Sequence, residues 1–184
     1  MRDLSLHILD LAQNSVRAKA SLVELGLSLD SSGLLTLTIR DNGCGMDQAL
    51  CERVLSPFGT TRTTRKVGLG LPLMAQNARL TGGDLALEST PGQGTLVTVT
   101  LHTNSIDCLP LGDLAGTMVS LVSANPETPD FVLTCTSPQG SMEFDTRALR
   151  EALSGVALNE PEITAWMLDS LQEEIKPIFG GMIL

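Results

Sequence analysis

Between Ser21 and Arg40 the chain alternates apolar and polar residues twice. Val23, Leu25, Leu27 and Leu29 fall on one side of the first run, and Leu35, Leu37 and Ile39 on one side of the second. Asp30-Ser31-Ser32-Gly33 separates the runs and supplies turn chemistry. A period of two places successive side chains on opposite faces of a strand, so the pattern predicts a hairpin with one buried face. Something apolar must cover that face. Residues 3–19, just before the hairpin, read as a helix clothed in Ala, Leu, Ile and Val, except for one polar stripe at His7, Asp10, Asn14 and Arg17. Steps of three, four and three residues keep that stripe on a single helix face.

The hairpin runs into Asp41-Asn42-Gly43-Cys44-Gly45-Met46, followed by a short helix from about Asp47 to Leu55. Residues 56–67 have no apolar period and are rich in Thr, Arg and Gly, so they read as a loop. Gly68-Leu69-Gly70-Leu71-Pro72 opens a helix to about Leu80, with Pro72 tolerated in its first turn. Two further strands, DLALES and TLVTVTLH, flank the turn TPGQG. Residues 103–111 read as a linker. Beyond it the pattern predicts a helix over 112–124, a strand pair at 130–137 and 141–145, a helix over 146–153, and a last helix capped by Asn159 with Glu162 three residues on. The expected organisation is therefore a domain over 1–104 and a small α/β domain over 105–184.

Charge divides along the same line. Residues 1–104 hold nine basic and nine acidic side chains, whereas 105–184 hold three basic and twelve acidic ones, which accounts for the net −9. An acidic second part argues against nucleic acid or an anionic membrane as its partner and suits a protein partner. A mean hydropathy of +0.17, without a run of about 18–20 apolar residues, gives no candidate membrane span. The acidic and polar residues among the first fifteen do not suit a signal peptide, so the expectation is a cytoplasmic protein. Four scattered cysteines without a CxxC pair suggest neither a zinc site nor a disulfide framework.

Several residues carry chemistry when taken together. Asp41 ends a strand and is followed by two glycines, so a carboxylate there can accept from an exocyclic amine while Gly43 and Gly45 let a flat ring approach. Asn14 offers a hard amide oxygen suited to Mg²⁺, and Asp10, one turn earlier, could deprotonate a hydroxyl. Gly68 and Gly70 stand where a loop enters a helix, whose free N–H groups form an anion site. Arg62, Arg65 and Lys66 lie just before it. No Walker A pattern is present. Each signal alone has a commonplace explanation, such as a solvated stripe or a plain turn.

Their order and spacing over residues 4–102 closely resemble the GHKL ATPase superfamily, which contains DNA gyrase B, the MutL mismatch-repair proteins, the large heat-shock ATPase chaperones and bacterial sensor histidine kinases. The resemblance implies a two-layer α/β sandwich of the Bergerat type, with a mixed, largely antiparallel sheet. It implies ATP and Mg²⁺ as ligands, with Asn14 on the metal and Asp10 as general base. Asp41 would read adenine with Gly43, Gly45 and Met46 beside it, and Thr95 would help, through water. Ser56-Pro57-Phe58-Gly59-Thr60-Thr61-Arg62 looks like the P-F-x-T-T-K run of one group of histidine kinases, which brings Phe58, Thr60, Thr61 and Arg62 to the nucleotide. Lys66 stands in the same lid, and Gly68-Leu69-Gly70-Leu71 matches the end of G-x-G-L-G-L.

Departures from the family shape the functional expectation. Lys66-Val67 replaces the usual Gly-Thr, and the lid is short. A histidine kinase carries its phosphoacceptor on a two-helix domain before the Asn-bearing helix, whereas here only a few residues precede that helix. His7 lies inside the helix and is expected to be structural. The expected function is a kinase that transfers the γ-phosphate to a partner protein in signalling or regulation, with two alternatives: an ATP-driven switch, and a regulatory subunit that binds ATP without using it. Residues 103–184 match no enzyme motif and bear a faint resemblance to the tail of ATP-binding proteins found beside iron-only hydrogenase genes.

Overall fold

A computed structural model describes residues 2–56 and 69–180. Helix α1 (Leu4–Arg17) is started by Asp3, whose side chain accepts from the Leu6 N–H and from the Ser5 hydroxyl. It buries Leu4, Ile8, Leu11 and Ala12. The expected hairpin follows as β1 (Leu22–Leu29) and β2 (Leu34–Asp41). Asp30 closes its turn by accepting from the backbone of Ser32 and Leu34, and Gly33 takes φ +85°. Helix α2 (Gln48–Leu55) is capped by Asp47, and α3 (Gly70–Leu80) ends where Gly82 turns with φ +81°. Strands β3 (Leu85–Thr90) and β4 (Gly94–His102) complete the first part.

The chain continues through α4 (Leu114–Ala124), β5 (Asp130–Ser137), β6 (Gly140–Asp145), α5 (Thr146–Leu153) and α6 (Pro161–Phe179). Asp113 caps α4 through the Gly116 N–H at 2.8 Å. At α6 the expected cap is displaced by one residue. Glu160 occupies the N-cap without a side-chain hydrogen bond, and Pro161 supplies the first helical residue. Proline presets the backbone angle of a first helical position and needs no donor there, so it fixes the start of the helix in place of an Asn159 box.

All six strands form one sheet in the order β3-β4-β2-β1-β5-β6, antiparallel at every junction except β1–β5. The sheet therefore crosses the 104/105 boundary without a break. Helix α3 packs on α1, α1 on α4, and α4 on α6, which gives a helical layer over one face of the sheet. The alternation read from the sequence supplies the buried face: Val23, Leu25, Leu27, Leu35, Leu37 and Ile39 are all at most 2% exposed. Phe131 and Leu133 of β5 join the same continuous cluster as α1 and α4. Burying each such side chain contributes about 1.5–3 kcal/mol. The architecture is the mixed α/β sandwich expected from the sequence. Among the described residues no helix is long and apolar enough to cross a membrane.

Candidate functional site

At one end of the sheet, Asp41 of β2, Thr95 of β4 and Ser89 of β3 stand in register across three strands. Cross-strand partners share a face, and Asp41 alternates with buried Ile39 and Leu37, so the row lies on the helix-covered side. The Asp41 carboxylate is 8% exposed. Its Oδ2 accepts from the Ser15 hydroxyl of α1 at 2.6 Å and its Oδ1 from the Gly43 N–H at 2.9 Å. No cation pairs with it among the described residues. A buried carboxylate held by neutral donors keeps lone pairs for a further donor.

The loop after Asp41 is pinned from both sides. Cys44 donates its N–H to the Ala18 carbonyl, and its own carbonyl accepts from Gly92. A side chain at Gly45 (φ +62°) would lie 2.0 Å from the Thr90 carbonyl oxygen, and one at Gly43 would lie 2.8 Å from Ala18. The two glycines thus let this loop pass between the end of α1 and the β3–β4 turn. Asn42 braces the arrangement by accepting from the Ser21 and Leu22 N–H groups. Met46 donates its N–H to the Ser89 hydroxyl at 2.8 Å.

His7 and Asp10 of the polar stripe of α1 face α3. Gly70 is the first residue of α3, and a Cβ there would lie 1.9 Å from Asp10 Oδ2. Only a glycine lets that carboxylate come so close to the helix start. Leu69, at the N-cap, makes no side-chain capping bond; Leu73 donates to the Leu69 carbonyl and Pro72 has no N–H, so among the described residues it is the Gly70 and Leu71 N–H groups that have no protein acceptor. Asn14, one turn along α1, has its amide oxygen accepting from the exposed Arg17 at 3.1 Å. Leu71 is buried and Leu69 exposed. Phe58, Thr60, Thr61, Arg62, Lys66 and Gly68 lie outside the described residues.

Sequence reasoning singled out His7 as structural and missed its partner. His7 is 1% exposed, and its Nε2 lies 2.9 Å from Asn77 Nδ2 of α3. Contacts 7–77 and 10–70 show that α1 and α3 run antiparallel. Burial, reinforced by the charge of the N-terminus, holds the imidazole below its ordinary value of 6.5, against the opposite pull of Asp10 and Asp3. The unfolded chain then binds this proton at a pH where the folded chain does not, so stability falls as pH drops below 6.5 toward the folded value. Urea unfolding at about pH 7.5 and about pH 5.5 tests this linkage. The wild type should lose more stability on acidification than His7→Gln, and equal losses would exclude the assignment. Asn77→Leu, which strands the imidazole without a partner, should cost about 1–3 kcal/mol at neutral pH.

Ser15 and Ser89 also escaped the sequence reading. Their signal was their position: Ser15 sits on the buried stripe of α1 after Leu11, and period two puts Ser89 on the inward side of β3 with Leu85 and Leu87.

Comparison with known proteins bears on the same region. Residues 2–105 match the family described as histidine kinase-, DNA gyrase B-, and HSP90-like ATPase. The chain is similar to the signal transduction histidine-protein kinase AtoS of Escherichia coli (strain K12), 31% identical over 104 residues, covering 56% of this chain and 17% of that protein. It is also similar to the cell-division control histidine kinase PdhS of Brucella anthropi, 29% identical over 113 residues, covering 53% of this chain and 11% of that protein. The chain thus spans a small part of the length of these relatives. Among solved structures, its fold is like that of the N-terminal domain of a DNA repair protein, with a TM-score of 0.51, 15% identity, and coverage of 79% of this chain and 52% of that one.

Proposed function

Because the chain belongs to the histidine kinase-, DNA gyrase B-, and HSP90-like ATPase family, we propose that it binds ATP with a magnesium ion and transfers the γ-phosphate to a partner protein. One observation carries the reading: the Ser15–Asp41 hydrogen bond ties the Asn14 end of α1 to the buried acceptor at the end of β2. This supports reading Asp41 as a base-reading carboxylate and Asn14 as a metal-ligating amide of one site, with Asp10 against the start of α3.

The donor set fits the metal. Magnesium prefers oxygen ligands, keeps several waters and is commonly shared with phosphates. Asn14 supplies such an oxygen, and its present partner Arg17 is exposed and readily displaced. Among the described residues no three His, Cys, Asp or Glu side chains could hold a metal together, so Asn14 would act with phosphate oxygens and water. When bound, the ion neutralises charge on the phosphates.

The chain's own residues do the rest. Asp41 accepts from the exocyclic amine of adenine, with Thr95 beside it. Asp10 takes the proton of an acceptor hydroxyl as its oxygen bonds to the γ-phosphorus and the bond to ADP breaks. Gly68 to Leu71 and the basic residues Arg62 and Lys66 would face the phosphates, with Phe58, Thr60 and Thr61 in the covering segment. The partner would present a basic surface. Of the three basic residues in 105–184, Arg147 pairs with Asp145 and Arg150 with Asp130, which leaves Lys176 against ten carboxylates without an ion-pair partner among the described residues.

A second reading, an ATP-driven switch, is favoured by the attachment of α1. Its first residues donate to the carbonyls of Pro110 and Leu111, each at 2.9 Å, and Thr117 of α4 donates to the Ser5 carbonyl. The helix that bears Asp10 and Asn14 therefore also carries 105–180. Incubation with γ-labelled ATP, with and without cell extract, separates the readings. Label on a second protein supports transfer, and free phosphate without labelled protein supports the switch. Retained binding with neither outcome would mean a regulatory subunit.

A further inference from the structure

The hydroxyl of Ser89 makes three close contacts, and only one assignment of protons makes all three of them hydrogen bonds. The Met46 N–H lies 2.8 Å away and can only donate, so Ser89 Oγ accepts from it. The Gly94 carbonyl lies 2.9 Å away and can only accept, so Ser89 donates its one proton there. The third contact is the Thr95 hydroxyl at 2.8 Å, where either oxygen could be the donor. With the Ser89 proton committed to Gly94, this contact is a hydrogen bond only if Thr95 donates to Ser89. Thr95 then has no proton left to offer and presents lone pairs alone on its remaining side.

Next to Thr95 in the β2–β4 register is Asp41, whose two oxygens already accept from Ser15 and Gly43 and which has no proton to donate when ionised. The two residues that line this end of the sheet are thus both acceptors, one by charge and the other by a neighbour's hydrogen bond. We propose that Ser89 is a positioning residue for base selectivity: by drawing the Thr95 proton toward β3, it makes Thr95 and Asp41 a paired acceptor that takes a purine 6-amino group and rejects a 6-oxo group. Without Ser89 the Thr95 hydroxyl is free to rotate and donate to a 6-oxo oxygen. The inference rests on the reading of Asp41 and Thr95 as the adenine side of the site.

ADP carries a 6-amino group beside an unprotonated N1 and IDP a 6-oxo group beside an N1–H, and their binding to the full chain can be followed by calorimetry without turnover. The wild type should prefer ADP by about 100-fold, since a buried site whose acceptors face position 6 rejects an analogue that presents an oxygen there in place of a donor. Ser89→Ala should shrink that preference about tenfold, with IDP binding improved relative to ADP, a change of one hydrogen bond's polarity. Ser89→Thr, which keeps the hydroxyl, should keep the preference. Equal weakening of both nucleotides in Ser89→Ala, with the ratio within about twofold of wild type, would reduce Ser89 to a structural brace and overturn the proposal. Thr95→Val offers a second route should Ser89→Ala fail to fold. It removes one of the two acceptors, so an unchanged ratio there is equally fatal. A wild type that binds both nucleotides alike, or neither, would instead bring down the adenine reading, and this inference with it.

Discussion

Asp41→Asn should weaken ATP binding by about 100-fold, or about 2.7 kcal/mol, with little change in fold stability. The amide is nearly isosteric with the carboxylate, and its one oxygen can still accept from Ser15 or Gly43, which hold Asp41 at 2.6 and 2.9 Å. Its NH₂ group can donate to the Ser15 hydroxyl, which can turn to accept and so spares the fold, but it cannot accept from the exocyclic amine of the base. Where the NH₂ group meets that amine two donors stand face to face beside a residue only 8% exposed, and water cannot relieve the conflict. Isothermal titration with ATP, alongside a urea unfolding curve for each protein, separates binding from stability. Affinity within about twofold of wild type would remove Asp41 from the adenine contact.

The second large effect falls on chemistry alone. Asp10→Asn should lower phosphoryl transfer or hydrolysis by about 10²–10⁴-fold, the range for a general base, and leave ATP affinity within about threefold. Asp10 stands against the first residue of α3, where Gly70 has no side chain to obstruct it, and it is on helix α1, whereas the Asp41 row is on strands β2, β3 and β4. Loss of its charge therefore leaves the base-reading end intact. Turnover that persists in the variant would mean that the acceptor needs no base, as for a nitrogen nucleophile already neutral at pH 7, and would remove Asp10 from the proton transfer.

The elements legible in the sequence were those set by short-range periodicity. The hairpin, α1 and α3 depend on residues a few positions apart, and each appears where alternation or helical spacing put it, α3 beginning at Gly70. The pairing of β1 with β5 was not legible. Leu22 meets Asp130 more than a hundred residues away, and nothing in FVLTCTS names its neighbour. A parallel pair needs a long crossover, which hides the partner from local pattern. At the candidate site, Asp41, Asp10 and Asn14 were singled out because ionic and amide groups are conspicuous on their faces. Ser15, Ser89 and Asn77 were not found, because small neutral polar residues look alike in sequence whether they meet solvent or hold a buried partner. The start of α6 shows a different limit: two capping signals stood side by side, and the proline's fixed backbone angle prevailed over the asparagine side chain.

The family likeness stops at residue 105, but the sheet does not. For anyone preparing the nucleotide-binding part by itself, this is a practical matter of solubility. A fragment cut after residue 104 would expose one entire side of β1 (Leu22–Leu29), with its backbone donors and acceptors bare, and would strip α4 from the apolar flank of α1. Such an open strand edge is a template for self-association. The truncated fragment is expected to scatter light and elute as large aggregates, whereas the chain through residue 180 carries its own strand to close that edge. A clean, folded monomer from the short fragment would mean that β5 lends β1 little. Primary-structure relatedness and mechanical independence are thus drawn at different places along this chain.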